Sequence, residues 1–445
     1  MSVPQSEVAP QNTTHSPERR LPPTPHGSVR QLVRNPLSYF LSITQQYGDI
    51  VCYRPAPDPA YLINHPNYIR HVLVENYHNY SKDTYSNQAF KQVIGEGLIN
   101  LEGDAWLRQR RLMQPAFHHS RLERLDGMIV QATLDMLDRW QVFSESGQPV
   151  DIAREMAALT MTITSRALFG VDLGDEVKAI GEIINKVANL TEKPRDPRLQ
   201  QAAREFRAVV EGIIQERRRN FRDQGDLLTS LMTAHDENSG AMLTDDQLKN
   251  EVMGLLLAGH ETTANALTWT FYALSQNLWA NERMHNEIQL LLDKRKPASP
   301  DLARLPYLRL VLEESLRLYP PAWIIGRRAI QDDEIDGYHV PGGTVIAICI
   351  YTLHRHPTFW ENPELFDPER FTPERSASRD KYAYIPFSIG PRQCIGNSFS
   401  LLEASLILTC IAQRFELHLL PGIEVQPQPL FVLRPNRDLL MSLHP

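Results

Sequence analysis

Cysteine is scarce in this sequence, and its spacing argues against two common uses of the residue. The 445 residues contain four cysteines, Cys52, Cys349, Cys394 and Cys410, and no two of them stand close together. A disulfide framework or a zinc site needs cysteines in pairs or short-range clusters. Widely spaced thiols are typical of a reducing compartment, where a free cysteine is most often a small buried apolar residue. A chemical role for any one of them must be argued from its surroundings.

Long apolar runs and an excess of basic residues are also missing. No stretch reaches the roughly 18 apolar residues that a membrane-spanning helix needs. The first 25 residues are polar and carry no apolar centre of a signal peptide. The formal net charge of −7 argues against a nucleic-acid-binding surface. We therefore expect a soluble, cytoplasmic protein with no membrane anchor and no nucleic-acid partner.

Neither an internal repeat nor a Gly/Ser-rich linker divides the chain. We expect a flexible leader over residues 1–25 and one large domain over 26–445. Hydrophobic periodicity predicts a mainly α fold with small β-sheets. Strands are predicted at 50–54 and 60–63, around the turn PAPDP, and within 335–350. Helices are predicted at 104–113, 121–143, 152–168, 175–190, 198–222, 244–278 and 397–415, the sixth opening on a capping box of Thr244 and Gln247.

The sequence FSIGPRQCIG at 387–396 surrounds Cys394 with residues that suit a reactive sulfur. Its glycines allow a tight loop. Arg392, the loop amides and the positive end of a helix starting near Asn397 are expected to favour thiolate over thiol. A thiolate held in this way suits an axial haem ligand, because its electron density promotes O–O cleavage. A purely structural loop is the alternative, and the full FxxGxRxCxG spacing favours the haem ligand.

A polar interruption, AGHETT at 258–263, lies in the middle of the predicted helix 244–278. Glycine and adjacent threonines weaken a helix interior. A carboxylate beside a hydroxyl is costly in an apolar stripe unless it is used or paired. Glu261 and Thr262 therefore indicate a locally loosened turn that opens a groove for O2 and water. A kinked helix with Glu261 at a wet surface is the alternative, and His260 is interpreted as a polar filler.

Two weaker patterns carry paired charges or strong donors. In ESLR at 314–317, the i,i+3 spacing lets Glu314 and Arg317 meet on one helix face, although such a pair is most often an ordinary surface contact. Arg370, in PERF at 368–371, could complete a buried network that holds the Cys loop. In WLRQR at 106–110, Trp106 and Arg110 are donors suited to haem propionates.

In chain order, WxxxR, AGxET, ExxR, PERF and FxxGxRxCxG resemble the cytochrome P450 superfamily, and the resemblance covers nearly the whole chain from about residue 21. It implies a triangular, mostly helical domain with haem b between the long helix and the Cys-loop helix. The site residues that it implies are the axial iron ligand Cys394, the haem contacts Trp106, Arg110, Arg327, Arg392 and Phe387, the acid–alcohol pair Glu261 and Thr262, and the structural triad Glu314, Arg317 and Arg370. Ser400 departs from the family pattern, which usually has alanine there.

The activity that the resemblance implies is that of a haem-thiolate monooxygenase, which inserts one atom of O2 into an organic substrate. The motif wording is closer to fatty-acid and eukaryotic-type members, so the expected substrate is a fatty acid, terpenoid or similar apolar lipid. Electrons are expected from a separate ferredoxin or flavodoxin with its reductase. A basic docking face for that partner is predicted at Arg108, Arg110, Arg111 and Arg392. The pocket candidates are largely apolar: Tyr85, Phe90, Ala258, Ala322, Trp323, Ile324 and Ile325.

Three other functions are weighed against this one. A peroxygenase of the same fold would use H2O2 and would usually lack the acid–alcohol pair. A haem-binding sensor would bind the cofactor without turnover. A helical binding protein without haem would be colourless when purified.

Overall fold

The computed structural model describes residues 20–25, 29–54, 58–170, 180–184, 186–187, 196–236 and 240–445. The predicted mainly α fold with small β-sheets is confirmed. Three predictions fall wholly or largely outside the described residues: most of the leader, the PAPDP turn and the helix at 175–190.

Helices supply most of the described structure, and the strands are short. The α-helices are Val29–Arg34, Pro36–Tyr47, Pro66–Arg70, Tyr85–Ile94, Gly103–Met113, His119–Leu122, Asp126–Ser146, Ile152–Phe169, Pro197–Arg219, Leu227–Thr233, Asp245–Gln276, Leu278–Leu292, Ser299–Leu302, Pro306–Leu318, Ile350–Leu353, Pro373–Ala377 and Asn397–Ala412. The strands are β1 (Ile50–Arg54), β2 (Ala60–Ile63), β3 (Tyr80–Ser81), β4 (Val150–Asp151), β5 (Ile324–Ala329), β6 (Asp333–Ile335), β7 (Tyr338–Val340), β8 (Val345–Cys349), β9 (Glu416–Leu419), β10 (Pro427–Pro429), β11 (Leu433–Pro435) and β12 (Leu440–His444).

The central helix, Asp245–Gln276, has 32 residues and spans about 48 Å at 1.5 Å per residue. It begins where the sequence predicts. Thr244 Oγ1 accepts from Gln247 N at 3.2 Å, and Gln247 Oε1 accepts from Thr244 N at 3.0 Å. This capping box satisfies two amides that a helix start otherwise leaves unpaired. The helix packs most extensively against Ile152–Phe169, so it runs through the core.

The cysteine helix, Asn397–Ala412, follows the Cys loop directly and is apolar on nearly every face. A helix that is hydrophobic all round is buried. This one packs between the central helix and the helices Asp126–Ser146 and Pro306–Leu318. The Cys loop is therefore anchored at the start of a buried, rigid element.

The largest sheet brings distant segments of the chain together. Its strand order is β1-β2-β8-β5-β3, with β2 parallel to β8 and β5 antiparallel to β8. Strand β5 was not predicted, yet it is the strand that carries Ile325 and Arg327. Ile325 pairs with Ile348 and Arg327 with Ile346 in the ladder, which fixes where both side chains point.

The predicted flexible leader over residues 1–25 is wrong for its described part, residues 20–25, because Arg20 and Pro23 contact the domain. The Arg20 guanidinium lies 4.0 Å from the centre of the Tyr338 ring. The backbone carbonyl of Arg20 accepts a hydrogen bond from His339 N at 2.7 Å. Pro23 O accepts from Cys52 N at 2.9 Å. In this way the backbone amides of His339 in β7 and Cys52 in β1 gain hydrogen-bond acceptors, so the segment from Arg20 to Pro23 is part of the domain.

Candidate active site

The Cys loop is held by its own backbone. Cys394 N donates to Phe387 O at 3.0 Å, and Gln393 N donates to Gly390 O at 3.0 Å. Gly390 has φ +73°, and a Cβ there would lie 2.2 Å from Leu73 O. Only glycine fits such a position without strain. These contacts fix the direction of the Cys394 side chain.

Cys394 faces an internal cavity of about 290 Å³. The opposite wall is a stripe of the central helix made by Ala258, Gly259, Thr262 and Thr263. An adjoining compartment of about 160 Å³ also reaches Cys394. The sulfur and the polar turn of the central helix therefore share one cavity. The walls of the adjoining compartment include Lys82, Trp106, Arg110, Glu251 and Arg392.

The sequence led us to expect that the surroundings of Cys394 favour its thiolate over its thiol. Without a bound metal ion, this expectation is wrong. Burial raises the pKa of the Cys394 thiol, and it outweighs the Gly396 amide, Arg110 and Lys82, which lower it. Arg392 donates instead to Leu101 O at 2.6 Å and to Glu102 at 2.6 Å. A metal ion deprotonates a thiol that coordinates it, so such a sulfur remains suited to iron.

A buried cluster of cations lies beside the cavity. Burial foremost, and then Arg327 and Arg392, lower the pKa of Lys82 to about 7. Burial and then Arg392 lower the pKa of Arg327 to about 10. Lys82 Nζ donates to Ile99 O at 2.8 Å, whereas Arg327 Nη1 donates to the carbonyl of its own neighbour, Gly326, at 2.8 Å. Carbonyl oxygens do not neutralise either charge.

This donor set fits haem. Glu102 pairs with Arg392 at 2.6 Å, and among the described residues it is the carboxylate that raises the pKa of Lys82 and of Arg327. Arg327 and Arg392 with Glu102 leave one positive charge, and Lys82 adds a second whenever it is protonated. Two propionates would neutralise them, and a guanidinium is the side chain best matched to a carboxylate. Trp106 completes the arrangement, because its ring stacks 4.2 Å below the Arg392 guanidinium.

The remaining predicted haem contacts also line the two compartments. Arg110 Nη1 donates to Gln393 O at 2.8 Å, which ties the helix Gly103–Met113 to the Cys loop. Phe387 lines the cavity, and its carbonyl accepts from Cys394 N. Both residues therefore shape the loop as well as the cavity.

The structure does not place Glu261 and Thr262 side by side on the cavity. Thr262 lines it, and its Oγ1 donates to Ala258 O at 2.7 Å. Glu261 is buried outside the cavity lining; burial raises the pKa of its carboxyl, and Arg434 opposes that shift. The helix is continuous from Asp245 to Gln276, so the predicted loosening of this turn is wrong. Successive residues of an α-helix point about 100° apart, which explains the separation.

Glu314, Arg317 and Arg370 form one buried network. Arg317 donates twice to the Glu314 carboxylate, at 2.7 and 2.8 Å, and Arg370 Nε donates to it at 3.3 Å. Asp367 N adds a fourth donor at 2.8 Å. Glu314 and Arg317 have no exposed surface, so the alternative of a surface pair is wrong.

The predicted pocket residues divide between two spaces. Ala258, Ala322 and Ile325 line the cavity that faces Cys394. A second, outer pocket has a volume of about 600 Å³. Of the residues that line this pocket, only Ile325 also lines the cavity that faces Cys394. Its walls include Tyr85, Phe90, Trp323, Ile324 and Phe431.

Several residues near the cavity had no sequence motif to reveal them. Lys82 and Glu102 become neighbours of the Cys loop only through the fold. Glu251 lines the adjoining compartment; it accepts from Leu98 N at 2.7 Å and Gln109 Nε2 at 2.9 Å, and burial raises its pKa to about 7. Ser400, seen only as a departure from the family pattern, lies 3.1 Å from the Thr263 hydroxyl.

The four arginines of the predicted docking face do not form one unpaired basic surface. Arg110 and Arg392 line the adjoining compartment, and Arg392 pairs with Glu102. Arg111 lies 3.5 Å from Asp236. The prediction that these arginines form one free basic face is therefore wrong for Arg110, Arg111 and Arg392.

Comparison with known proteins decides the family. The Cytochrome P450 family model matches residues 20–441. The chain belongs to the cytochrome P450 family. The heme domain of cytochrome P450DA, a crystal structure, superposes with a TM-score of 0.87 at 25% identity and covers 96% of this chain and 97% of that domain.

Two curated relatives come from Streptomyces melanosporofaciens. The cyclooctatin synthase is 34% identical over 421 residues, covering 91% of this chain and 90% of the relative. The cyclooctat-9-en-7-ol 5-monooxygenase is 35% identical over 411 residues, covering 89% and 88%. The P450 is therefore a monooxygenase and an oxidoreductase, its cofactor is haem b, and its reaction uses O2 and electrons from a redox partner. In the described part of the chain, every helix is too short or too polar to cross a membrane.

Proposed function

We propose that this P450 hydroxylates an apolar, hydrocarbon-rich substrate such as a terpenoid or a fatty acid. The observation that carries the proposal is the aliphatic lining of the cavity that faces Cys394. Its apolar side chains include Ala167, Leu168, Leu255, Ala266, Leu316, Ala322, Ile325 and Ile350. Apolar walls with a few placed polar groups are typical of sites for apolar ligands. A relative named for cyclooctat-9-en-7-ol, an unsaturated alcohol by its name, supports the same class.

The proposed roles of the chain's residues follow from their positions. Haem b, when bound, supplies the iron that activates O2. Cys394 is its proposed protein ligand, and Lys82, Arg327, Arg392, Trp106 and Arg110 are the proposed contacts of its propionates. Lys82, Trp106, Arg110 and Arg392 line the compartment that reaches Cys394, and Arg327 lines the neighbouring outer pocket, which shares Lys82 with that compartment.

Thr262 and Glu261 are proposed to supply protons. The Thr262 hydroxyl faces the cavity and donates its proton in a hydrogen bond to Ala258 O, which leaves its oxygen able to accept a hydrogen bond from water. Glu261 keeps its own proton to a higher pH than an exposed glutamate, because burial raises its pKa. A carboxyl group that keeps its proton to a higher pH is better suited to act as a general acid.

The electron donor is proposed to be a ferredoxin or flavodoxin served by its own reductase. The P450 domain accounts for residues 20–441, so the electrons come from a different domain or protein. Arg108, on the helix Gly103–Met113, offers local positive charge to an acidic partner, whereas Arg111 on the same helix is paired with Asp236. The rate of haem reduction should fall as salt rises from low to physiological concentration, since exposed charges are screened beyond about 8–10 Å. A rate that is indifferent to salt would contradict an electrostatic docking face.

A binding screen tests the substrate class. Fatty acids, terpenoids and steroids are added to the haem-loaded protein, and displacement of the iron's sixth ligand is followed in the Soret band. We expect saturable shifts with apolar compounds and hydroxylated products with NAD(P)H and redox partners. Ile325→Phe should narrow the cavity and weaken binding, whereas Ile330→Phe, at an exposed position just beyond β5, should not. Shifts only with charged ligands, or full product yield with H2O2 and no NAD(P)H, would overturn the proposal.

A further inference from the structure

Thr164, in the helix Ile152–Phe169, has a hydroxyl that its own helix does not use. Threonine hydroxyls inside helices commonly donate to the carbonyl four residues back. Thr160 and Thr162, on the same helix, do so at 2.9 and 3.0 Å. Thr164 Oγ1 has no hydrogen-bond partner among the described residues, although the residue is only 4% exposed. Its rotamer therefore leaves a buried polar atom available.

The available hydroxyl belongs to a residue that lines the cavity facing Cys394. Gly259 lies opposite it on the central helix: a Cβ there would be 3.3 Å from Thr164 Cγ2 and 3.5 Å from Oγ1. Thr262 follows Gly259 by three residues and so shares its face of the helix. Because Gly259 has no side chain, the space that a Cβ would fill beside Thr164 stays open, and we call this part of the cavity wall, lined by Thr164, Gly259 and Thr262, the groove.

An unpaired hydroxyl in a buried position is unfavourable, and such groups in native proteins usually have a partner. Valine has nearly the shape of threonine and would fill the same space without the polar atom. The Thr164 hydroxyl is therefore not needed to fill space. Its position suits a small polar ligand in the groove.

We propose that Thr164 and Thr262 together bind a water molecule in the groove at Gly259, and that Thr164 is a positioning residue for proton delivery. The Thr164 hydroxyl donates to the water, and the water donates to Thr262 Oγ1, whose own proton is directed to Ala258 O. Both hydroxyls are polar partners of the kind that a buried water requires. The inference rests on the proposed role of Thr262 in proton delivery. It adds Thr164 as the residue that holds the water from which Thr262 receives protons.

The test uses the haem-loaded, full-length protein with carbon monoxide as the probe. In Thr164→Val the infrared stretching band of the reduced CO complex should shift, because a hydrogen-bonding group near the ligand is lost. Product per NAD(P)H should fall by about tenfold, a part of the 10²–10⁴-fold that general acid help contributes. Thr164→Ser keeps the hydroxyl and should restore both values.

Thr162→Val is the matched control, because it removes a hydroxyl on the same helix that donates to Ala158 O, away from the cavity. It should leave the CO band unchanged. Thr164→Val should keep the circular dichroism spectrum and the haem content of the parent, since valine fills the same space. An unshifted band in Thr164→Val, or an equal shift in Thr162→Val, would overturn the inference alone. A parent protein that gives no thiolate-type CO spectrum would instead overturn the proposed function.

Discussion

Replacing Glu314 by alanine should destabilise the fold strongly, because the carboxylate is the shared acceptor of a buried network. Arg317 loses two charge-assisted hydrogen bonds, of 2.7 and 2.8 Å, and Arg370 and Asp367 N lose one each. Arg317 keeps carbonyl partners, His354 O at 2.9 Å and Pro363 O at 2.7 Å, but no anion replaces Glu314. The guanidinium then stays fully buried with its charge uncompensated.

Removing one partner of a buried ion pair costs about 3–5 kcal/mol, against a total stability of about 5–15 kcal/mol for a typical domain. We expect the urea midpoint of Glu314→Ala, followed by circular dichroism, to fall by an amount in that range. Haem content after purification should fall as well. Glu96→Ala is the control: Glu96 pairs with Lys91, and both side chains are more than half exposed, so its loss should cost about 1 kcal/mol or less. Equal, small losses in the two variants would refute the reasoning.

Three further predictions concern the cavity and the fold's response to pH. Lys82→Met should weaken haem retention, measured as transfer of haem to apomyoglobin, whereas Lys91→Met, at an exposed lysine paired with Glu96, should not; equal retention would contradict the charge argument. Thr262→Ala should keep consuming NAD(P)H and O2 while releasing mostly H2O2, and unchanged product per NAD(P)H would remove Thr262 from proton delivery. His354 is buried with its pKa held well below 6.5, so the unfolded chain binds a proton that the folded chain does not. Stability should therefore fall as pH drops below about 6.5, and urea midpoints in His354→Asn should depend less on pH; an unchanged dependence would contradict this.

The sequence predicted correctly those helix ends, strands and loops that are determined by contacts between neighbouring residues. Thr244 and Gln247 mark the start of the central helix because capping is a contact between neighbours in sequence. Strands β1 and β2 were predicted to the residue, since alternating β-formers flank a proline turn. The spacing around Cys394 predicted a tight loop, and Gly390 shows why that loop needs its glycine.

Features that depend on distant contacts could not be read from the sequence. Arg392 and Glu102 are 290 residues apart, so the sequence around Arg392 does not indicate that Glu102 is its partner. Lys82 lies in a segment without a motif and gains its buried position only when β3 pairs with β5. The helix predicted from residue 121 begins at Asp126, because short turns at His119–Leu122 and Glu123–Leu125 precede it. Glu261 and Thr262 are adjacent in sequence, but helix geometry turns them to different sides.

The most direct test of the account is the CO difference spectrum of the reduced protein and of Cys394→Ser. The parent should show the strongly red-shifted Soret band of thiolate ligation. Cys394→Ser should lose that band while it remains folded by circular dichroism. Cys410→Ser, which alters a buried thiol in the helix Asn397–Ala412 after the Cys loop, should keep it. A red-shifted band that persists in Cys394→Ser would contradict the account, because the iron would then take its thiolate from Cys52, Cys349 or Cys410.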